Sequence, residues 1–127
     1  MDIKLKLLNK DLSIVHMDEL AAPGEIFKQS GFVSVTKTND EISLITETMY
    51  VRNDWRANSG WKAFFIVGPL DFSLVGILRE VLALLADAGI SIFAISTFNT
   101  DYILVKNEQV ENALQILSGK FEIETVS

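Results

Sequence analysis

Two short stretches of this chain carry side chains whose types and spacing suit the capture of a small polar molecule. The first is Gly68-Pro69-Leu70-Asp71-Phe72-Ser73, which runs directly into an apolar segment with helical spacing. The opening N–H groups of a helix lack intrahelical partners and together carry about half a positive charge, so a carboxylate or phosphate is stabilised there. The second is Thr97-Phe98-Asn99-Thr100-Asp101, which groups hydroxyl, amide and carboxylate functions at a chain reversal. A small zwitterion needs an anion site and a cation site close together. Backbone donors near Asp71, Phe72 and Ser73 could take its carboxylate. Asp101 could take its ammonium, with Thr97 and Asn99 adding hydrogen bonds and Phe98 covering the ligand. Burying either charge without a partner is costly, so both ends must be met.

Each stretch also has a plain structural reading. Asp71 or Ser73 can simply cap the helix, and an Asp71 carboxylate in that role competes with a ligand for the same donors. Asn99 is ordinary turn chemistry. Phe98 and Asp101 fit that reading less well. An aromatic at a tight tip needs something to pack against, and Asp101 opens an otherwise apolar strand. No glycine-rich phosphate cradle followed by Lys is present, which argues against a nucleotide.

The rest of the sequence offers little for catalysis. The absence of cysteine excludes thiol catalysis, disulfides and thiolate metal sites. His16, the single histidine, stands in an apolar strand without a carboxylate pair and is read as a hydrogen-bonded structural residue. No serine lies in a nucleophile-elbow pattern. No catalytic residue, metal ligand or cofactor is therefore assigned, and the chain is expected not to be an enzyme. A net charge of -6 comes without any basic cluster, so nucleic acid is not an expected partner. No run of about 18 apolar residues is present, so no membrane span is expected. The N-terminus lacks a secretory signal core, and a cytoplasmic location is expected.

These groups need elements to hold them. With 49% hydrophobic and 22% charged residues, the composition is that of a well-cored domain. Ala63-Phe64-Phe65-Ile66-Val67 reads as a buried strand ended by Gly68-Pro69. Phe72, Val75, Leu78, Val81, Leu82, Leu85 and Ala86 recur at three- and four-residue spacing, which predicts a helix over 73–88 ended by Gly89. Strands follow over 91–97 and 101–106, with a reversal at 98–100. Asn107 can cap a helix lined by Val110, Ala113, Leu114 and Leu117, Gly119 stops it, and 121–125 is a last strand. The order is βαββαβ, the ferredoxin-like layout of four strands with two helices on one face.

The first half reads as a worn copy of the second. Residues 3–7 and 12–17 look like separate strands broken by Asn9-Lys10-Asp11. Pro23 limits the helix that follows to a turn or two. Residues 32–38 and 41–47 form a hairpin about Asn39-Asp40. No second helix is visible, and the polar stretch 51–60 reads as a linker. The expected fold is α+β, with two ferredoxin-like (βαββαβ) units in tandem, the first degenerate with a shortened helix. Their expected ranges are 1–58 and 59–127.

Trp61, the run Val67-Gly68-Pro69-Leu70-Asp71-Phe72-Ser73, then Ala88-Gly89-Ile90-Ser91-Ile92 and Ile95 through Lys106 resemble the tandem ACT-domain proteins. The branch they resemble most holds the cytosolic arginine sensors of animals and small bacterial proteins. The resemblance covers about half of the chain. It implies two ACT units and an amino acid bound at an interface between paired copies. One copy would supply backbone contacts at Ser91 and Ile92. The facing copy would supply Thr97, Phe98 and Asp101, with the loop from Asp71 to Leu74. Where the sensors carry an acidic side chain for the ligand's basic end, this sequence has Leu74, which argues against arginine. The expectation is a non-catalytic amino-acid sensor that forms a homodimer. The alternative is a protein-interaction scaffold of the same fold with no small-molecule ligand.

Overall fold

The computed structural model describes residues 3–19, 23–67 and 75–127. By its contacts the chain divides into two compact units. One combines the residues up to Asn9 with those from Lys62 onward, and the other is Lys10–Trp61. This departs from the expected contiguous split at 58/59, and two misread stretches explain the difference. Asn9-Lys10-Asp11 does not break the N-terminal strand: β1 runs unbroken over Lys4–Met17, with those three residues exposed along it. The expected linker is also partly strand, because β4 spans Arg56–Val67. Gly60 makes that continuity possible with a φ of 90°, a conformation that side chains disfavour.

In the unit built from both chain ends, the strand order is β7-β1-β4-β6-β5, with β5 at Ile92–Ser96, β6 at Asp101–Lys106 and β7 at Glu122–Val126. The β6 strand lies between β4 and β5, as a ferredoxin-like crossover requires. The unit is five-stranded rather than four-stranded, because Lys4–Leu8 of β1 pairs in parallel with β7. Alternate residues Leu5 and Leu7, Phe64 and Ile66, and Ile103 and Val105 face one core. Helices α2 (Val75–Asp87) and α3 (Val110–Ser118) close that core with Val81, Leu85, Ala113 and Leu117. The Val, Leu, Ile and Phe side chains among these each contribute about 1.5–3 kcal/mol when fully buried.

The helix ends show how sequence sets the frame. After α2 the Ile90 N–H donates to the Leu85 carbonyl at 3.0 Å and the Gly89 N–H to the Ala86 carbonyl at 3.0 Å. Gly89 has a φ of 72°, so this is a Schellman stop that needs a left-handed residue. Ile90 and Leu85 share the core, which completes the motif. Asn107 does not cap α3 as expected. It opens a short 3-10 turn, Asn107–Gln109, that leads into the helix without a side-chain cap. On the edge of this unit, Lys4 and Glu124 form an ion pair at 3.0 Å. The hydrogen bond and charge of Lys4 lower the Glu124 pKa, and Glu124 raises that of Lys4 in return.

The Lys10–Trp61 unit repeats the same order in reduced form: β1, α1 (Pro23–Gln29), β2 (Val33–Lys37), β3 (Ile42–Glu47), a 3-10 turn at Thr48–Tyr50, and the start of β4. Its strands run β2-β3-β1-β4. The 3-10 turn stands where the second helix of a full copy belongs, and the supposed linker supplies the fourth strand. Val15, Met17, Ile42 and Leu44 form its core with Ile26 of α1. Glu47 is 7% exposed and pins the end of α1, accepting from Ser30 Oγ at 2.9 Å and the Gly31 N–H at 2.6 Å.

Candidate functional site

Four of the candidate residues lie on one hairpin. Strands β5 and β6 pair antiparallel, with Ser96 opposite Asp101 as the last pair before the tip. The tip closes on itself through its two threonines. The Thr97 N–H donates to the Thr100 carbonyl at 2.8 Å, the Thr97 hydroxyl donates to the same carbonyl at 3.0 Å, and the Thr100 N–H donates back to the Thr97 hydroxyl at 3.1 Å. Both ends of the reversal are therefore held by hydrogen bonds rather than by packing.

A further bond ties the tip to the strand that leads toward the other candidate segment. The Thr100 hydroxyl donates to the Ile66 carbonyl of β4 at 2.6 Å. Thr100 was not expected as a site residue. Its partner stands 34 residues away in sequence, so no local pattern announces the bond. Beside the tip, Phe65 and Tyr102 pack with ring centroids 5.1 Å apart, which fixes the root of β6 against β4.

Asp101 is partly buried. Ser96 Oγ donates to its Oδ1, and the second carboxylate oxygen has no hydrogen-bond partner among the described residues. The carboxylate is thus oriented but not saturated, as a group waiting for a donor would be. Phe98 is 101% exposed, so no described residue covers the ring. Asn99 is exposed at the same tip.

Ser91 and Ile92 stand at the far end of β5, where Ile92 pairs with Val105. Four strand steps separate Ile92 from the tip, about 13 Å at the usual rise. One small ligand cannot touch both ends of the strand from a single chain. The candidates Asp71, Phe72, Ser73 and Leu74 lie outside the described residues. His16, expected as a hydrogen-bonded structural residue, is instead exposed on β1, with no such bond among the described residues. Among the described residues, no group of three or more His, Cys, Asp or Glu side chains could hold a metal ion. No helix among them is long and apolar enough to cross a membrane.

Comparison with known proteins identifies the frame that carries this hairpin. Residues 56–119 match the model of the ACT domain. The human protein CASTOR3P is 31% identical over 98 residues, which cover 77% of this chain and 56% of that protein. The human cytosolic arginine sensor for mTORC1 subunit 1 is 36% identical over 63 residues, covering 49% of this chain and 19% of the sensor. The chain thus spans only part of the length of the curated relatives it matches. Among solved structures, the protein Atu0741 of Agobacterium tumefaciens superposes with a TM-score of 0.88 at 33% identity, over 100% of this chain and 96% of that one. The matched segment begins at the β4 strand, runs through α2 and the β5–β6 hairpin, and ends after α3; the chain belongs to the ACT domain family.

Proposed function

We propose that this chain is a non-catalytic regulatory module that binds a free amino acid, or a similar small zwitterion, at an interface between ACT copies. The observation that carries the reading is the Asp101 carboxylate. It is turned by Ser96 with one oxygen unused, on a tip where Phe98 has no cover of its own. An oriented carboxylate suits an ammonium group, and an uncovered ring suits a surface completed by a second copy. In this arrangement Thr97, Phe98, Asn99 and Asp101 come from one copy, with Asp71, Phe72, Ser73 and Leu74 of its loop. Ser91 and Ile92 come from the facing copy, consistent with their distance from the tip. A two-fold homodimer then holds two equal sites. A human relative is by name a cytosolic arginine sensor, which supports amino-acid recognition and a cytoplasmic setting. Leu74 argues for a ligand other than arginine.

The test is thermal melting with each common amino acid at millimolar concentration. A ligand at a hundred times its dissociation constant adds about 2.7 kcal/mol, enough to raise the midpoint by several degrees for a chain of this size. At least one amino acid is expected to do so, and Asp101→Asn is expected to remove the response while leaving the ligand-free midpoint nearly unchanged. If no amino acid moves the midpoint, the reading fails. Sedimentation at micromolar concentration is expected to show a dimer. The exposure of Phe98 also favours a second reading, a scaffold whose tip meets a protein partner. In that case Phe98→Ser abolishes association while no amino acid changes the melting curve.

A further inference from the structure

Every hydroxyl proton at the β5–β6 tip is committed. The Thr97 hydroxyl donates to the Thr100 carbonyl at 3.0 Å, and the Thr100 hydroxyl to the Ile66 carbonyl at 2.6 Å. Ser96 alone at this tip gives its hydroxyl to a side chain, the Asp101 carboxylate. The strand register explains why these two meet. The Thr97 N–H already bonds across to Thr100 at 2.8 Å. By alternation Ser96 and Asp101 are then a non-hydrogen-bonded pair, the kind whose facing side chains stand closest. Asp101 also keeps step with Ile103 and Val105, which places it on the face of the sheet that carries α2 and α3.

We propose that Ser96 is a positioning residue that sets which cationic head the hairpin accepts: a primary ammonium is held, and a guanidinium or amidine is refused. The inference rests on the reading of the hairpin as an amino-acid site and narrows the class of ligand that this site takes. An ionised carboxylate only accepts, through two oxygens. A guanidinium pairs best as a fork, with two parallel N–H groups on both oxygens at once. An ammonium is a compact charge that one oxygen can satisfy. The Ser96 hydroxyl lies on Oδ1, where one arm of the fork would go. The other oxygen, with no partner among the described residues, is left for a single N–H. The serine also fixes the carboxylate before a ligand arrives, so binding does not have to order it.

The test is calorimetric titration of the full chain with paired probes: each common amino acid, and the same acid with its α-ammonium converted to a guanidino group. At least one amino acid is expected to bind about ten-fold or more tightly than its guanidino counterpart. Ser96→Ala is expected to cut that ratio about ten-fold, the guanidino acid gaining affinity while the amino acid loses it. Ser96→Thr, which keeps the hydroxyl, should retain the ratio of the parent. Position 96 is exposed, and the circular dichroism of both variants should match that of the parent. A serine that only stabilises the tip would weaken both probes by the same factor, and an unchanged ratio in Ser96→Ala therefore overturns the proposal. So does a parent chain that binds the guanidino acid as well as the amino acid. In either case an amino acid still binds, and the proposed function stands. If no member of any pair binds, both readings fall together.

Discussion

The Thr100 hydroxyl reaches the Ile66 carbonyl across 34 residues of sequence, and in doing so holds a tip that has no hydrophobic anchor of its own. Thr100→Val keeps the side chain's shape and removes that bond. The expected cost is about 0.5–1.5 kcal/mol, read from the melting midpoint, together with weaker ligand response than the parent even where Asp101 is intact. The opposite result is expected at Thr46. Its side chain is fully buried, and its hydroxyl has no hydrogen-bond partner among the described residues, while neighbouring Ser13 bonds Thr48 at 2.8 Å and Ser59 at 2.7 Å. An unsatisfied buried hydroxyl costs about 1–3 kcal/mol, so Thr46→Val should leave the midpoint equal or higher. A drop of several degrees would mean that the hydroxyl is satisfied in solution by a bound water. At this scale the sequence made the acceptor Asp101 legible through its chemistry. Ser96 and Thr100 stayed hidden because a hydroxyl declares its partner only when the strand register is known.

Between elements, two glycines that look alike in sequence behave differently. Gly89 has a φ of 72° and open space where a Cβ would stand, whereas Gly119, at the end of α3, has a φ of -67°. Gly89→Ala therefore isolates the backbone cost, about 1–2 kcal/mol for a left-handed L-residue. Gly119→Ala should instead be neutral or slightly stabilising, since it restricts the unfolded chain without strain. Chemical denaturation of the two variants checks the contrast, and equal losses at both sites would refute it. The long helix, the β5–β6 hairpin and the α1 remnant were legible because apolar spacing and glycine or proline signals agree there. The misread stretches failed for one reason. Asn9-Lys10-Asp11 and Arg56–Ser59 are polar because they are exposed in strand conformation, and polarity alone does not tell an exposed strand from a loop.

For the molecule as a whole, the decisive feature is the parallel pairing of Lys4–Leu8 with Glu122–Val126. No local pattern announces it, because the two strands lie at opposite ends of the sequence. It predicts that a fragment beginning at residue 59 is not the independent domain that its βαββαβ order suggests. Such a fragment lacks Leu5 and Leu7, which belong to the same core as Leu117 and Phe121. Circular dichroism of residues 59–127 should show loss of cooperative melting, while the same fragment supplied with residues 1–9 as a peptide should regain it. A fragment that melts as sharply as the full chain would contradict this.

That pairing also sets an order of events during synthesis. The β7 strand is made after every other element described, yet β1 needs it as a neighbour. A growing chain therefore carries Lys4–Leu8 without its β7 neighbour until that strand is made, and closure across so long a loop is slow compared with the local hairpins. The nascent polypeptide should accordingly depend on holding chaperones until Glu122–Val126 has emerged.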